Sequence, residues 1–501
     1  MTEQQIEQQT EGIADAILQR RAKLARLREQ GIDPYPPRFH RTMTAAAAKG
    51  TVERQGDVEQ TEPISLAGRL MALRRMGGRT FLDIRDGTDR VQLSFQRDHV
   101  GEEHYGLLKD LDLGDFLGAT GHSLFRTKTG EVTLQVDRLT VLAKALLPPP
   151  EKWHGLKDVE QRYRQRYLDL ISNEQVRNTF RIRSKAISQL RRFMEDRGFI
   201  EAETPVLQAV AAGAMATPFV TQHKALDRTL YLRIATELHL KRLIVGGFDK
   251  VFEVGRLFRN EGIDTRHNPE FTTMESYAAY EDYNDVMRMV EDLVAHLAQS
   301  ALGTTKIAYQ GKELDLTPPW RRVSLIEETE RLCGINLLDP RVQSADGLRS
   351  RMREIGLTPK DGTSWPQLAD KLIGDVVEPT LVQPTFLLDY PVAMSPLAKG
   401  KPGNPMLVER FEGFIAGMEV ANAFTELNDP LEQRARLQAQ EESRKQFADE
   451  DFDRLDEDFV TAIEHGMPPT GGLGLGIDRL VMLLTDNASI REVILFPQLR
   501  N

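Results

Sequence analysis

A single cysteine, Cys333, stands in 501 residues, which excludes a disulfide framework and a cysteine-ligated zinc site; small core filler is its expected role. No apolar run approaches the length of a membrane span, and no charged-then-apolar signal pattern opens the chain, so a cytoplasmic protein with no membrane partner is expected. Positive charge is not in excess either. The 65 Lys+Arg and 75 Asp+Glu give a formal net charge of −10. That argues against indiscriminate nucleic-acid binding but leaves room for a specific RNA partner at a local basic patch. Phosphate loops are missing as well: there is neither GxxxxGK[ST] nor a strand-linked GxGxxG. The glycines of "GGLGLGIDR" lie near the C-terminus and run straight into an apolar helix. Any ATP site must use another platform, read here as a mainly antiparallel sheet flanked by helices.

What is present is a globular composition, 40% hydrophobic and 28% charged, on a chain too long for one core. Residues 1–60 read as a helical extension. In "IADAILQRRAKLARLREQG", Ile13, Ile17, Leu24 and Leu27 share a face, Gly31 is a stop, and Pro34, Pro36 and Pro37 follow. Its basic face is expected to be mainly solvated, with RNA contact as the alternative. Over 61–145, short alternating runs broken by GG, DG and TG predict an antiparallel barrel of about five strands. Phe81 and Phe95, amid Arg69, Arg74, Arg75 and Arg79, suit base stacking on an exposed strand face; the same pattern equally fits aromatics in a core and arginines in water. The proline run "LLPPPEKW" marks a stiff linker over 146–157. From 158 to 501 an arginine-rich helix, with Phe180, Ile187, Leu190 and Phe193 facing a core, precedes mixed strands and helices. Segment 332–378 reads as a helical insertion without assigned chemistry.

Segment 258–276, "FRNEGIDTRHNPEFTTMES", concentrates mixed charge between ordinary-looking strands. Together with "GFIEAETPVL" (198–207) and "GLGLGIDRLVMLL" (472–484) it resembles, in order, the three motifs of the class II aminoacyl-tRNA synthetases. With "KWHGLKDVEQRYRQRYLDLI" and "NAFTELNDP" added, the resemblance covers nearly the whole chain and is closest to the bacterial-type lysyl-tRNA synthetases. It implies an α+β protein: a five-stranded OB-fold barrel, then a class II catalytic domain whose antiparallel sheet is flanked by helices. It also implies a homodimer through the first motif, and lysine, ATP, Mg2+ and tRNA(Lys) as substrates and partners.

Site residues follow from the same resemblance. Arg259 and Arg479 are the catalytic arginines. Glu261, Arg266, His267 and Phe271 join them around ATP, with Asn260, Asn268 and Pro269 shaping the loop. Glu412 and Glu419 match the metal carboxylates. Gly213, Glu237, Glu275, Tyr277, Asn422 and Glu426, with Arg259, surround lysine, while Phe81, Gln92 and Glu131 read the anticodon. The chemistry suits these residue types. A carboxylate attacking the α-phosphate brings two anions together, so fixed cationic forks are needed rather than a protein nucleophile. An amine-tipped substrate needs carboxylates at the far end of its pocket, where an aspartate pocket would need Lys or Arg. An aspartyl or asparaginyl synthetase, a lysine–protein ligase, and an inactive RNA-binding paralogue are the alternatives. The barrel disfavours the ligase, and the intact arginines and carboxylates disfavour the paralogue. Ala212, Thr217, Ser276, Ala421 and Ala423 depart from the family pattern and bear on the loop near Gly213 and on how tightly lysine is held.

Overall fold

The computed structural model describes residues 3–150, 156, 158–214, 216–447 and 456–500, with side chains from 14 to 442 and from 456 onward within those ranges. The chain forms two compact units, Met1–Lys157 and Asp158–Asn501. Most of the 146–157 linker, from 151 on, lies outside the described residues.

In the first unit, strands Val58–Met76, Arg79–Arg85, Arg90–Gln96, Val132–Gln135, Phe116–Arg126 and Arg138–Ala143 hydrogen-bond in that spatial order, and the first also pairs with Phe116–Arg126, closing the barrel. Six strands stand where about five are expected. The last alternating run is interrupted at Val136 and Asp137, whose N–H groups donate to Ser94 and Thr120 carbonyls, 3.0 and 2.8 Å. Inward-facing Leu82, Ile84, Val91, Leu93, Leu124 and Leu134 fill the barrel. Phe95 is among them at 0% exposure, which decides for it between the strand face and the core in favour of the core.

The helix-rich first sixty residues share this core through Leu27, Ala45, Ala48 and Val52. Three basic residues of helix Glu3–Glu29 contact the barrel: Arg20 donates to the carbonyls of Ala145 and Leu113, while Lys23 and Arg26 pair with Asp112 and Asp110 at 2.6 and 2.7 Å. Ile17 and Leu24 are half-buried, and the Ile13 side chain lies outside the described residues.

In the second unit a sheet runs in the spatial order Arg321–Ser324, Thr385–Pro391, Asn404–Ile415, Met418–Thr425, Thr470–Gly476, Glu270–Ala279, Lys250–Phe258, Ile200–Glu201, with Gly400–Lys401 pairing off the path. Every pairing is antiparallel except the two outermost. Period-2 alternation decides its faces. Met274, Phe411, Ala421, Ala423, Leu473 and Leu475 point to one side, where helices Glu174–Glu195, Tyr283–Leu302 and Ile477–Leu484 cover them. Leu190 and Phe193 anchor the first of these helices; Asp282 and Asp285 form a capping box on the second. Each large apolar side chain so buried contributes about 1.5–3 kcal/mol. The 332–378 segment is helical, with Ala345–Glu354 and Trp365–Leu372 packing Leu348, Met352, Leu368 and Leu372 against Leu387, Val408 and Phe414. Cys333 is partly buried and burial pushes its thiol up.

Candidate active site

The opposite face of this sheet is left for chemistry. Strand Glu270–Ala279 presents Phe271, Glu275 and Tyr277, Asn404–Ile415 presents Arg410 and Glu412, and Thr470–Gly476 presents Gly472, Gly474 and Gly476. Glu419 and Asn422 are three apart and would fall on opposite faces of a regular strand. A bulge in the pairing, where Gly413 meets Ala421 but Phe414 meets Glu419, returns both to the site face. Two adjoining cavities of about 490 and 310 Å³ lie over this face and share Arg259, Glu275, Glu419, Asn422 and Gly474 as walls.

The smaller cavity gathers three arginines, Arg259, Arg266 and Arg479, with His267 among its carboxylates. Strands Lys250–Phe258 and Glu270–Ala279 form a hairpin, and its loop carries Arg259, Glu261, Arg266 and His267. Arg259 is pinned by its N–H to Pro269 O, 2.9 Å, and its guanidinium lies 5.3 Å from the Phe271 ring centroid. Asp264 shapes the turn by accepting from the Arg266 and His267 N–H groups at 2.6 and 2.8 Å and pairing the His267 ring. From the far side Arg479 donates to Glu419 O and Oε2, 2.8 and 3.1 Å, and reaches His267 Nε2 at 3.3 Å. Arg266 donates to Gly417 O. Buried Asp478 receives the Thr272 N–H at 2.6 Å and fixes the start of the helix bearing Arg479.

The larger cavity ends in an acidic cup of Glu237, Glu275 and Glu426 with Tyr277, all buried. Burial and the neighbouring Glu237 push the Glu275 carboxyl up to about 7 although both its oxygens accept from the Thr236 N–H at 3.2 Å. Burial, only partly offset by Lys241, raises Glu426 well above the carboxylate range. Glu426 Oε1 has no hydrogen-bond partner. Gly213 adopts φ +93°, a conformation that requires glycine, and a Cβ there would touch Ala235 and Glu237 at 3.3 and 3.4 Å. Where the cavities meet, Glu412 accepts from Tyr390 Oη at 2.8 Å and pairs with Arg410 at 2.5 Å, with Asn422 opposite it in register. Burial, and then Glu419, outweigh Arg410 and hold the Glu412 carboxyl near about 7.

Two families match the chain, one over each unit. Residues 158–500 match the tRNA synthetases class II (D, K and N), and residues 64–142 match the OB-fold nucleic acid binding domain. The chain belongs to the class II tRNA synthetases. Curated relatives run along its full length. A Lysine–tRNA ligase of Dehalococcoides mccartyi (strain ATCC BAA-2266 / KCTC 15142 / 195) is 54% identical over 96% of this chain and 97% of the relative. One of Pelotomaculum thermopropionicum is 50% identical over 98% and 96%, and one of Halalkalibacterium halodurans 48% over 98% of each.

Within this class II synthetase, the residues expected around ATP and the amino acid converge on one site, and none of the five departures lines either cavity. Ala421 and Ala423 face the helical core, Ala212 packs beside Leu238, and the Thr217 carbonyl accepts the Asn260 N–H at 2.8 Å. The fifth, Ser276, is 1% exposed with an unpartnered Oγ. Class II synthetases use ATP with Mg2+. The oxygen donors of Glu412 and Glu419 fit a hard divalent cation, which would relieve their mutual repulsion. No group of three or more ligating side chains stands together among the described residues.

Two features escape sequence reasoning. Lys241 sits under the cup, one turn from Glu237, in a spacing that reads as a surface salt bridge. Pro366, Gln367 and Asp370 of the insertion line the larger cavity. In the barrel Phe81 is half-buried opposite Ser94, and Glu131 pairs with Arg90 at 3.2 Å. Gln92 is 7% exposed, its amide held by Thr133 and Asp83, so it is already oriented. Arg74 forks Asp83 on the same face.

Proposed function

We propose that the chain is a lysine–tRNA ligase that activates L-lysine with ATP and transfers it to the 3′-terminal adenosine of tRNA(Lys). The observation that carries this reading is the position of Arg259 in the wall shared by an acidic cup and a cavity with three arginines. Lysine enters with its ε-ammonium among Glu275, Tyr277 and Glu426 and its α-ammonium at Glu237 and the Gly213 backbone. Its carboxylate faces Arg259 and Asn422. Adenine lies between Phe271 and Arg479 with its amino group toward Glu261, and Arg266 and His267 meet the outer phosphates. Glu412 and Glu419 would hold Mg2+, which would supply charge neutralisation on the phosphates.

Arg259 then forks between two anions and lets a carboxylate oxygen bond to the α-phosphorus as the bond to pyrophosphate breaks. In the second step a ribose hydroxyl of tRNA attacks the activated carbonyl, the proton leaves the hydroxyl, and AMP departs. The cup would repel an aspartate side chain, which disfavours aspartyl specificity. Phe81, Gln92 and Glu131 read the anticodon on the barrel face. Exposed Ile200, Val206 and Leu207 in the first motif support a homodimer. No helix among the described residues is long and apolar enough to cross a membrane, and a cytoplasmic place suits the substrates. Arg259→Ala tests the assignment: lysine-dependent ATP–pyrophosphate exchange should fall by about 10²–10³. Near-normal exchange would refute it.

A further inference from the structure

Lys241 is 0% exposed and lies on helix Glu237–Val245, beneath the cup rather than on the cavity wall. Its Nζ stands 2.5 Å from Glu237 Oε1 and also pairs closely with Glu426 Oε2, which arrives from another element. The rings of Phe424, Phe459 and Tyr277, 5.4, 5.8 and 5.9 Å away, close off its remaining sides. A helix i,i+4 pair needs no second carboxylate, and a surface pair needs no burial. Here a permanent ammonium is buried in a site read as binding an ammonium, and it touches two of the three carboxylates that face the guest.

We propose that Lys241 is a positioning residue that aims Glu237 and Glu426 and offsets one carboxylate charge of the cup, so that the lysine-bound cup carries the charge that two ammonium groups cancel. This rests on lysine being the substrate. With lysine bound and all three carboxylates ionised, three carboxylates and one ammonium leave two negative charges, matched by the α- and ε-ammonium groups, while the lysine carboxylate falls to Arg259. Other charged groups around Lys241 do not alter that balance. On its own helix Glu237 faces it; from strand Glu270–Ala279 come Tyr277 and, across the cup, Glu275; Glu426 follows strand Met418–Thr425. Beside Phe459, Asp456 and Asp458 are taken by Arg242 at 2.7 and 3.1 Å. Without Lys241 three buried carboxylates would confront one another, and one would take up a proton that arriving lysine must expel.

The test uses the full-length protein, with Lys241→Met and Lys241→Arg beside wild type. Lysine binding is followed calorimetrically at pH 7.5 in buffers of different ionisation enthalpy, and the KM for lysine in pyrophosphate exchange is followed from pH 6.5 to 8.5. Lys241→Met should release about one more proton per lysine than wild type, and its KM should fall by up to about tenfold per pH unit as pH rises. Its KM for ATP should not move, and Lys241→Arg should restore the wild-type proton count. A proton count and pH slope unchanged in Lys241→Met overturn the proposal.

Should Lys241→Met not fold, the wild type decides. L-norleucine, which lacks the ε-ammonium, should inhibit exchange with a Ki that weakens as pH rises, because the cup must gain a proton to accept it. A pH-independent Ki overturns the proposal. Failure of wild type to exchange with lysine at all refutes the substrate reading instead, so the two failures are separable.

Discussion

Gly472→Ala places one methyl group where the account is most exposed. A Cβ built at this position would lie 1.8 Å from Glu426 Oε1, 2.9 Å from its Cδ and 2.8 Å from Tyr277 Cε1. Something must shift. Glu426 is 0% exposed and ion-paired to Lys241, and Tyr277 is 3% exposed, so neither can swing away as a surface side chain would. Overpacking of this kind costs about 1–3 kcal/mol. Taken up by displacing the carboxylate and phenol that meet the ε-ammonium, it becomes a factor of about 5–150 in the KM for lysine. Gly472 does not line the nucleotide cavity, so the KM for ATP should stay within about twofold. Steady-state exchange, varying each substrate in turn, reads both constants. Unchanged lysine KM, or equal rises in both, would refute the cup as the place that recognises the side chain.

Three further outcomes are expected. Phe81→Ala should lower tRNA charging while leaving pyrophosphate exchange intact, with loss of one stacked base worth about 1–3 kcal/mol; a parallel fall in both would make the barrel a structural support. Ser276→Ala removes a buried hydroxyl whose Oγ has no partner, and thermal unfolding should show a gain within about 1–3 kcal/mol; a lowered Tm would mean the hydroxyl is satisfied. With Glu275 pushed up to about 7, its carboxyl is mostly protonated at pH 6 and ionised at pH 8. A cationic guest favours the ionised form, so kcat/KM for lysine should rise by about tenfold across that interval. A flat or falling profile would contradict the shift.

Much of the fold and site was legible because it is written in strict local patterns. Leu473 and Leu475 alternating with Gly472, Gly474 and Gly476 give a strand with one packed and one bare face, and the hairpin loop carries its charges contiguously. Other parts depend on geometry that spacing hides. Glu419 and Asn422 share a face only through a bulge, which one sequence does not mark. Phe81 and Phe95 look alike in an alternating run, yet pleat parity sends one to the strand face and the other into the barrel. Lys241 follows Glu237 at the spacing of an ordinary solvated pair, and only the arrival of Glu426 from nearly two hundred residues away makes the pair a buried one. The insertion offers no motif, and its Asp370 reaches the cavity wall through packing of the 332–378 helices.

Exchange of labelled pyrophosphate into ATP, measured with lysine, aspartate and asparagine in turn, tests the central claim most directly: an acidic cup beside an arginine-bearing cavity selects an amine-tipped amino acid. Mg2+-dependent exchange with lysine alone is the predicted result. Exchange with aspartate or asparagine but not lysine would contradict it.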